Sequence, residues 1–162
     1  MSEPVTGFKV PMRLNYTIRS GEAAGRFLRS IKEGRIVGRR CPDTGKVYVP
    51  PKGVSPVTGS EMVEEVEIGD VGTVTTFCIV NVPFEGQTMK LPYVAAAVLL
   101  DGTDIAMLHL IGGCDASAVR MGMRVKAVWR PEEEWGFTTE NIKYFEPTGE
   151  PDVPPEQIQE YI

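Results

Sequence analysis

The stretch Arg40-Cys41-Pro42-Asp43-Thr44-Gly45-Lys46-Val47-Tyr48-Val49-Pro50-Pro51-Lys52-Gly53-Val54-Ser55-Pro56-Val57-Thr58-Gly59-Ser60-Glu61 decides how the chain is read. A zinc ribbon carries two pairs of Cys, each pair separated by two residues and followed by Gly. Two thiolates at that spacing, with Gly letting the backbone turn back sharply, grip one face of a tetrahedral Zn²⁺. Here the first knuckle is Cys41-Pro42-Asp43-Thr44-Gly45 and the second is Ser55-Pro56-Val57-Thr58-Gly59. Of the four ligand positions only Cys41 supplies a thiolate. Thr44, Ser55 and Thr58 are poor ligands for a borderline metal. The pattern predicts a ribbon that keeps its frame without zinc.

Outward from that stretch, a chain of 162 residues with 42% hydrophobic content is sized for one domain, or one domain with an appendage, with a core large enough not to need a metal. The longest apolar run, Tyr93 to Leu100, has the length of a strand and not of a bilayer span. The first ten residues carry no apolar signal core, and three Cys without a pairing pattern suit a reducing compartment. These features predict a cytoplasmic protein with neither membrane partner nor structural disulfide. The net charge of −5 is unevenly spread: residues 1–52 carry +7 and the remainder −12. A basic third of this kind suits an anionic ligand or partner.

Residues 1–15, with Pro4, Gly7 and Pro11, read as extended, and Tyr16-Thr17-Ile18 alternates briefly. Ser20 reads as an N-cap, with Glu22 in the first turn. Ala23, Ala24, Phe27, Leu28 and Ile31 follow at one-face helical spacing, and Gly34 reads as the C′ residue. Arg26, Arg29 and Lys32 occupy the other face. Ile36–Arg40 and Val47–Val49 flank the first knuckle as the ribbon's strands, and Glu61–Ile68 reads as a connecting strand. From Gly72 the pattern is β. Thr73–Val82 is followed by the polar loop Pro83–Pro92. Tyr93–Leu100 and Ile105–Ile111 form a hairpin across Asp101-Gly102. Met123–Arg130 alternates, and Gly136–Phe145 gives a last strand. Five strands with an irregular insert before the fourth predict a small OB-type barrel. The expected fold is therefore mainly β: an amphipathic helix, a degenerate zinc-ribbon-like subdomain and a five-stranded OB barrel. Its expected divisions are an N-terminal extension and helix at 1–35, the ribbon at 36–68, the barrel at 69–146 and an acidic, Pro-rich tail at 147–162, read as loose up to a short Glu156–Ile162 turn that could dock.

The order helix, ribbon, barrel resembles the acyl-CoA-associated thiolase-partner family, formerly a domain of unknown function, which joins a rubredoxin-like zinc ribbon to an OB-fold. The resemblance rests on Gly34, Gly38-Arg39-Arg40-Cys41, Gly45-Lys46-Val47-Tyr48-Val49-Pro50-Pro51, the second knuckle to Gly59, Gly72-Thr73-Val74, Leu91-Pro92-Tyr93-Val94 and Met121-Gly122-Met123-Arg124-Val125. It implies a non-catalytic accessory subunit that sits against a thiolase-fold enzyme, a lipid-transfer-type thiolase or a retro-aldolase, in steroid or fatty-acid degradation. It also implies a coenzyme A thioester shared with that partner as the candidate ligand. The chain departs from the family at Thr44, Ser55 and Thr58, which removes the expectation of zinc but not of the fold.

The residues themselves give little to an independent enzyme. His109 is the only histidine and lies within the apolar run Ile105–Ile111, as a half-buried strand residue does. Cys78, inside a β run, reads as core, and Cys114, in a loop, as accessible. Asp101 and Asp104 read as turn residues. A nucleic-acid-binding OB barrel needs a basic groove with stacking aromatics, whereas the barrel segment here is acidic. The candidate ligand or partner contacts are Arg26, Arg39, Arg40 and Lys52 at the helix–ribbon junction, with Phe84, Met89 and Leu91 in the Pro83–Pro92 loop. Two other readings stay open: a stand-alone acyl-CoA-binding module, and a nucleic-acid-binding OB protein.

Overall fold

A computed structural model of the chain describes residues 3–161. Helix α1 spans Gly21–Lys32 and turns Phe27, Ser30 and Ile31 inward. Its C-terminal end follows the sequence: Gly34 takes φ +73°, Gly34 N–H donates to Ile31 O, and Arg35 N–H to Ser30 O. These two bonds satisfy carbonyls that the last turn would otherwise leave open. The N-terminal end differs from expectation. Ser20 is already in a helical conformation, so its hydroxyl cannot reach the first free N–H groups and instead donates to Gly21 O.

The ribbon is a three-stranded antiparallel sheet of β1 (Ile36–Arg40), β2 (Val47–Tyr48) and β3 (Glu64–Ile68), ordered β2-β1-β3. The segment read as a connecting strand, within the expected ribbon bounds of 36–68, is thus a full partner in the ribbon sheet. It pairs with β1 over five residues, from Ile36 opposite Ile68 to Arg40 opposite Glu64. That register sets arginines against glutamates.

Strands β4 (Val71–Val80), β5 (Tyr93–Leu100), β6 (Met107–Ile111), β7 (Arg124–Trp129) and β8 (Ile142–Pro147) close a five-stranded barrel in the order β4-β5-β6-β8-β7. The β5–β6 hairpin forms across Asp101-Gly102, with Gly102 at φ +82°. Strand β4 contains a bulge between Val74 and Thr76. The bulge changes which residues face inward. Val74 is fully buried before it, and Phe77 and Ile79 pack on the core after it. Cys78, expected in the core, is therefore turned outward and exposed, as a one-residue slip of register dictates. Thr75, at the bulge, is fully buried and donates to Ala97 O at 3.2 Å.

The last strand also begins later than the sequence suggests. Thr138 accepts Glu140 N–H and caps a short 3-10 turn at Thr139–Asn141. The buried Asn141 side chain accepts Gly136 N–H and donates to Gly136 O and to Ile31 O on α1. Residues 136–141 are thereby held as a loop that receives the helix.

One continuous core runs from Phe27 and Ile31 of α1, through Ile36, Val47, Val49 and Ile68 of the ribbon, to Val74, Val98, Val125 and Phe145 of the barrel. Asp104 fastens the ribbon to the hairpin turn, taking Val47 N–H at 2.8 Å and donating its own N–H to Val47 O at 2.9 Å. The C-terminal segment, expected to be loose up to a terminal turn that could dock, is held along residues 152–158. Val153 N–H donates to Gly122 O, Arg120 holds Asp152, and α2 (Pro155–Ile158) buries Ile158. No helix among the described residues is long and apolar enough to cross a membrane.

Candidate functional site

The two knuckles have the same geometry. Cys41 N–H donates to Lys46 O and Gly45 N–H to Cys41 O. Ser55 N–H likewise donates to Ser60 O and Gly59 N–H to Ser55 O. Gly45 and Gly59 both take positive φ, at +72° and +78°. In the second knuckle Ser55 Oγ accepts the N–H groups of Val57 and Thr58. In the first, the backbone at Thr44 and Asp43 helps to lower the pKa of the Cys41 thiol.

Cys41 and Ser55 are buried between the turns, and Thr58 Oγ1 lies 3.9 Å from the sulfur. One thiolate and three hydroxyls are not a zinc donor set, because neutral hydroxyls bind this metal weakly. Among the described residues no cluster of His, Cys, Asp and Glu could hold a metal. Hydrogen bonds and packing tie the knuckles together instead. Ser60 Oγ donates to the Asp43 carboxylate across the gap. Cys41, Tyr48 and Met62 form a small apolar core beneath. The Ser55 hydroxyl, then that of Thr44, outweigh the burial of the Cys41 thiol and hold its pKa down to about 6. Ser60 and Thr58 hold the Asp43 carboxyl below its ordinary range.

The basic residues of the helix–ribbon junction are interleaved with acids. Arg26 pairs with Glu22 at 2.8 Å and lies 3.7 Å from Glu65. Arg40 pairs with Glu64 at 3.0 Å and donates to Gly45 O in the first knuckle. Arg39 is only 5% exposed. It donates to Met62 O at 3.0 Å and to Glu22 at 3.2 Å, so it is a structural residue rather than a free phosphate contact. Arg26 and Arg39 share a small cleft with Arg29, Arg35, Pro51 and Glu65. Lys52 is exposed. The junction therefore offers a mixed surface, on which Arg26, Arg29, Arg35 and Lys52 are all exposed.

On the barrel side, Phe84 is 60% exposed, Met89 is partly exposed and Leu91 is half-buried. Met89 borders an open apolar cleft that the sequence did not reveal, formed with Ala95, Leu108, Leu110 and Ile142 and rimmed by Arg130, Glu140 and Lys143. Phe84 and Leu91 do not line it. Strand alternation makes the cleft: Ala97 lies opposite Leu108 and Ala95 opposite Leu110, and Leu108 is 81% exposed. A β5–β6 run that is apolar on both faces carries no signal of which face is outer.

The other titratable candidates have structural partners. His109 accepts Leu110 N–H through Nδ1, which leaves Nε2 to face Thr139 O at 3.4 Å, and its ring packs edge-on against Phe145. Burial pushes its pKa down, so the ring is neutral. Asp101 takes both guanidinium ends of Arg124, at 2.7 and 2.6 Å. Cys114 is exposed, and its thiol is pushed up by partial burial and by Asp115, the opposite of an activated nucleophile.

Comparison with known proteins places this architecture. A family profile described as the rubredoxin-like zinc ribbon domain of ChsH2 matches residues 30–54, and one described as the C-terminal OB-fold domain of ChsH2 matches residues 65–130. A DUF35 domain-containing scaffold protein of Methanocaldococcus jannaschii is 31% identical over 127 residues, covering 77% of this chain and 89% of that protein. A scaffold protein of the same description from Pyrococcus furiosus is 29% identical over 111 residues, covering 68% and 80%. Among solved structures, a chain of the Ltp2-ChsH2(DUF35) aldolase aligns with a TM-score of 0.57 and 22% identity over 75% of this chain and 91% of that one. A Sulfolobus solfataricus protein of unknown function from the DUF35 family aligns with a TM-score of 0.57 and 23% identity, covering 67% and 78%. Both structures share the fold. Since the first of these relatives is matched along nearly all of its length, through ribbon and barrel alike, this chain belongs to the DUF35 family.

Proposed function

We propose that this chain is a non-catalytic scaffold subunit that docks on a thiolase-like enzyme handling an acyl-CoA. The observation that carries the reading is the likeness to the M. jannaschii scaffold protein across 89% of that protein's length. The fold supports it. The ribbon has no metal-binding donor set, His109 is a neutral packed residue, and Asp101 and Asp104 are engaged in structural contacts. The partner is a lipid-transfer-type thiolase or retro-aldolase of steroid or fatty-acid degradation. The Ltp2-ChsH2(DUF35) aldolase offers the parallel.

In this reading Arg26, Arg40 and Lys52 on the helix–ribbon face, with Phe84, Met89 and Leu91 on the barrel side, meet the partner. The coenzyme A thioester lies in a site completed by the enzyme. Calorimetry with coenzyme A tests this. The complex with the thiolase-like enzyme binds it and the isolated chain does not. Micromolar binding by the isolated chain would instead make it a stand-alone acyl-CoA module.

A further inference from the structure

Residues Phe8 to Ile18 carry a pattern that nothing among the described residues uses. Phe8, Val10, Met12, Leu14, Tyr16 and Ile18 alternate without a break, and each is between 62% and 84% exposed. The intervening positions are Lys9, Pro11, Arg13, Asn15 and Thr17, followed by Arg19. They hold cations and no acid. The segment has no secondary structure, and among the described residues its backbone N–H and C=O groups bond to no other part of the chain. Six large apolar side chains on one face of a potential strand about 35 Å long form an aggregation hazard if left open.

We propose that this arm adds as a strand to an open sheet edge of the partner enzyme, with its apolar face in a strip beside that edge and its cations over an acidic rim. This inference rests on the scaffold reading above. The alternation also fixes which edge of the arm pairs. In an extended strand, the N–H and C=O of one residue point to one edge and those of the next residue to the other. All six apolar residues therefore share one edge, and Pro11, which has no N–H, lies on the opposite one. Proline is tolerated in a strand only where no ladder bond is needed. The even-numbered edge is complete and is the one that pairs. Charge selects a different protein over a second copy of this chain. The rim of the open apolar cleft here carries Arg130 and Lys143 against the single acid Glu140, and the acids of the β3 edge, Glu64, Glu65 and Glu67, already face Arg40, Arg26 and Arg35, so neither offers Lys9, Arg13 and Arg19 an unpaired acidic rim.

Amide hydrogen exchange at single-residue resolution, on the full chain alone and in complex with the thiolase-like enzyme, tests the inference. In the complex the amides of Val10, Met12, Leu14, Tyr16 and Ile18 slow by about a hundredfold or more, while those of Lys9, Arg13, Asn15 and Thr17 stay fast. Backbone variants give a second readout. Leu14→Pro weakens the complex about tenfold beyond Leu14→Ala, whereas Asn15→Pro changes it less than about threefold. A stable complex whose arm amides remain uniformly fast would overturn the arm and leave the scaffold reading standing. Failure of the full chain to bind the enzyme at all would overturn both. A dimer of the isolated chain that dissolves when residues 3–19 are deleted would also overturn it, in favour of self-association.

Discussion

Cys41 and Ser55 stand at matching points of two superimposable turns. Each donates its N–H five residues ahead, at 2.8 Å, and each receives a glycine N–H four residues on, at 2.9 Å. The ribbon frame is thus held by backbone bonds, while the groups at its four ligand positions are one thiol and three hydroxyls. The frame predicts its own repair. The variant Thr44→Cys/Ser55→Cys/Thr58→Cys binds about one Zn²⁺ per chain by plasma emission analysis, with its melting point raised and returned by a chelator. The parent chain carries none.

The Cys41 thiol, held down to about 6 in the fold, titrates near 8.5 in an unfolded chain. Between these values the unfolded chain keeps a proton that the folded chain has lost. Stability therefore rises with pH across that window, and the contribution is lost as pH falls towards 6. Urea unfolding at pH 6, 7, 8 and 9 shows this slope in the parent, and Cys41→Ala flattens it. An equal slope in both would place the titrating group elsewhere.

Arg39 and Arg26 share Glu22 but differ in burial. Arg39→Met leaves the Met62 carbonyl without its donor inside the fold and costs about 2 kcal/mol. Arg26→Ala removes an exposed pair and changes stability by about 0.5 kcal/mol or less. Binding to the partner has the opposite order, with Arg26→Glu and Lys52→Glu weakening the complex without unfolding the chain.

Gly122 sits at φ +82°, and a Cβ there would overlap the Val153 carbonyl of the C-terminal segment. Gly122→Ala therefore frees that segment and costs about 1–3 kcal/mol. Limited proteolysis reads the change directly: cleavage after Pro147 is slow in the parent and fast in the variant.

The helix end, the two knuckles and the hairpin were legible because each is fixed by local chemistry: a glycine at Gly34, Gly45, Gly59 or Gly102 where the backbone turns. What stayed hidden depends on distant partners. The Thr75 bulge turns Cys78 outward through pairing with β5, and no residue within the run signals it. Arg39 reads as a surface cation until β3 and α1 close over it. The part of the C-terminal segment before its last turn reads as loose because its prolines and acids show nothing of the Gly122 and Arg120 contacts that hold Val153 and Asp152. The apolar cleft at Leu108 needed the β5–β6 register to separate the outer face from the inner. In the arm at Phe8–Ile18 only Tyr16-Thr17-Ile18 read as alternating, and the exposure of every apolar side chain from Phe8 onward became visible only in the fold.

The scaffold reading turns on whether the chain is made to sit on an enzyme. The most direct measurement is a tagged pull-down from the native host, followed by size exclusion with light scattering and mass spectrometry of the eluted complex. The account predicts a stoichiometric thiolase-fold partner whose activity on its acyl-CoA changes when this chain is removed. Elution of the chain alone, or with nucleic acid, would contradict it.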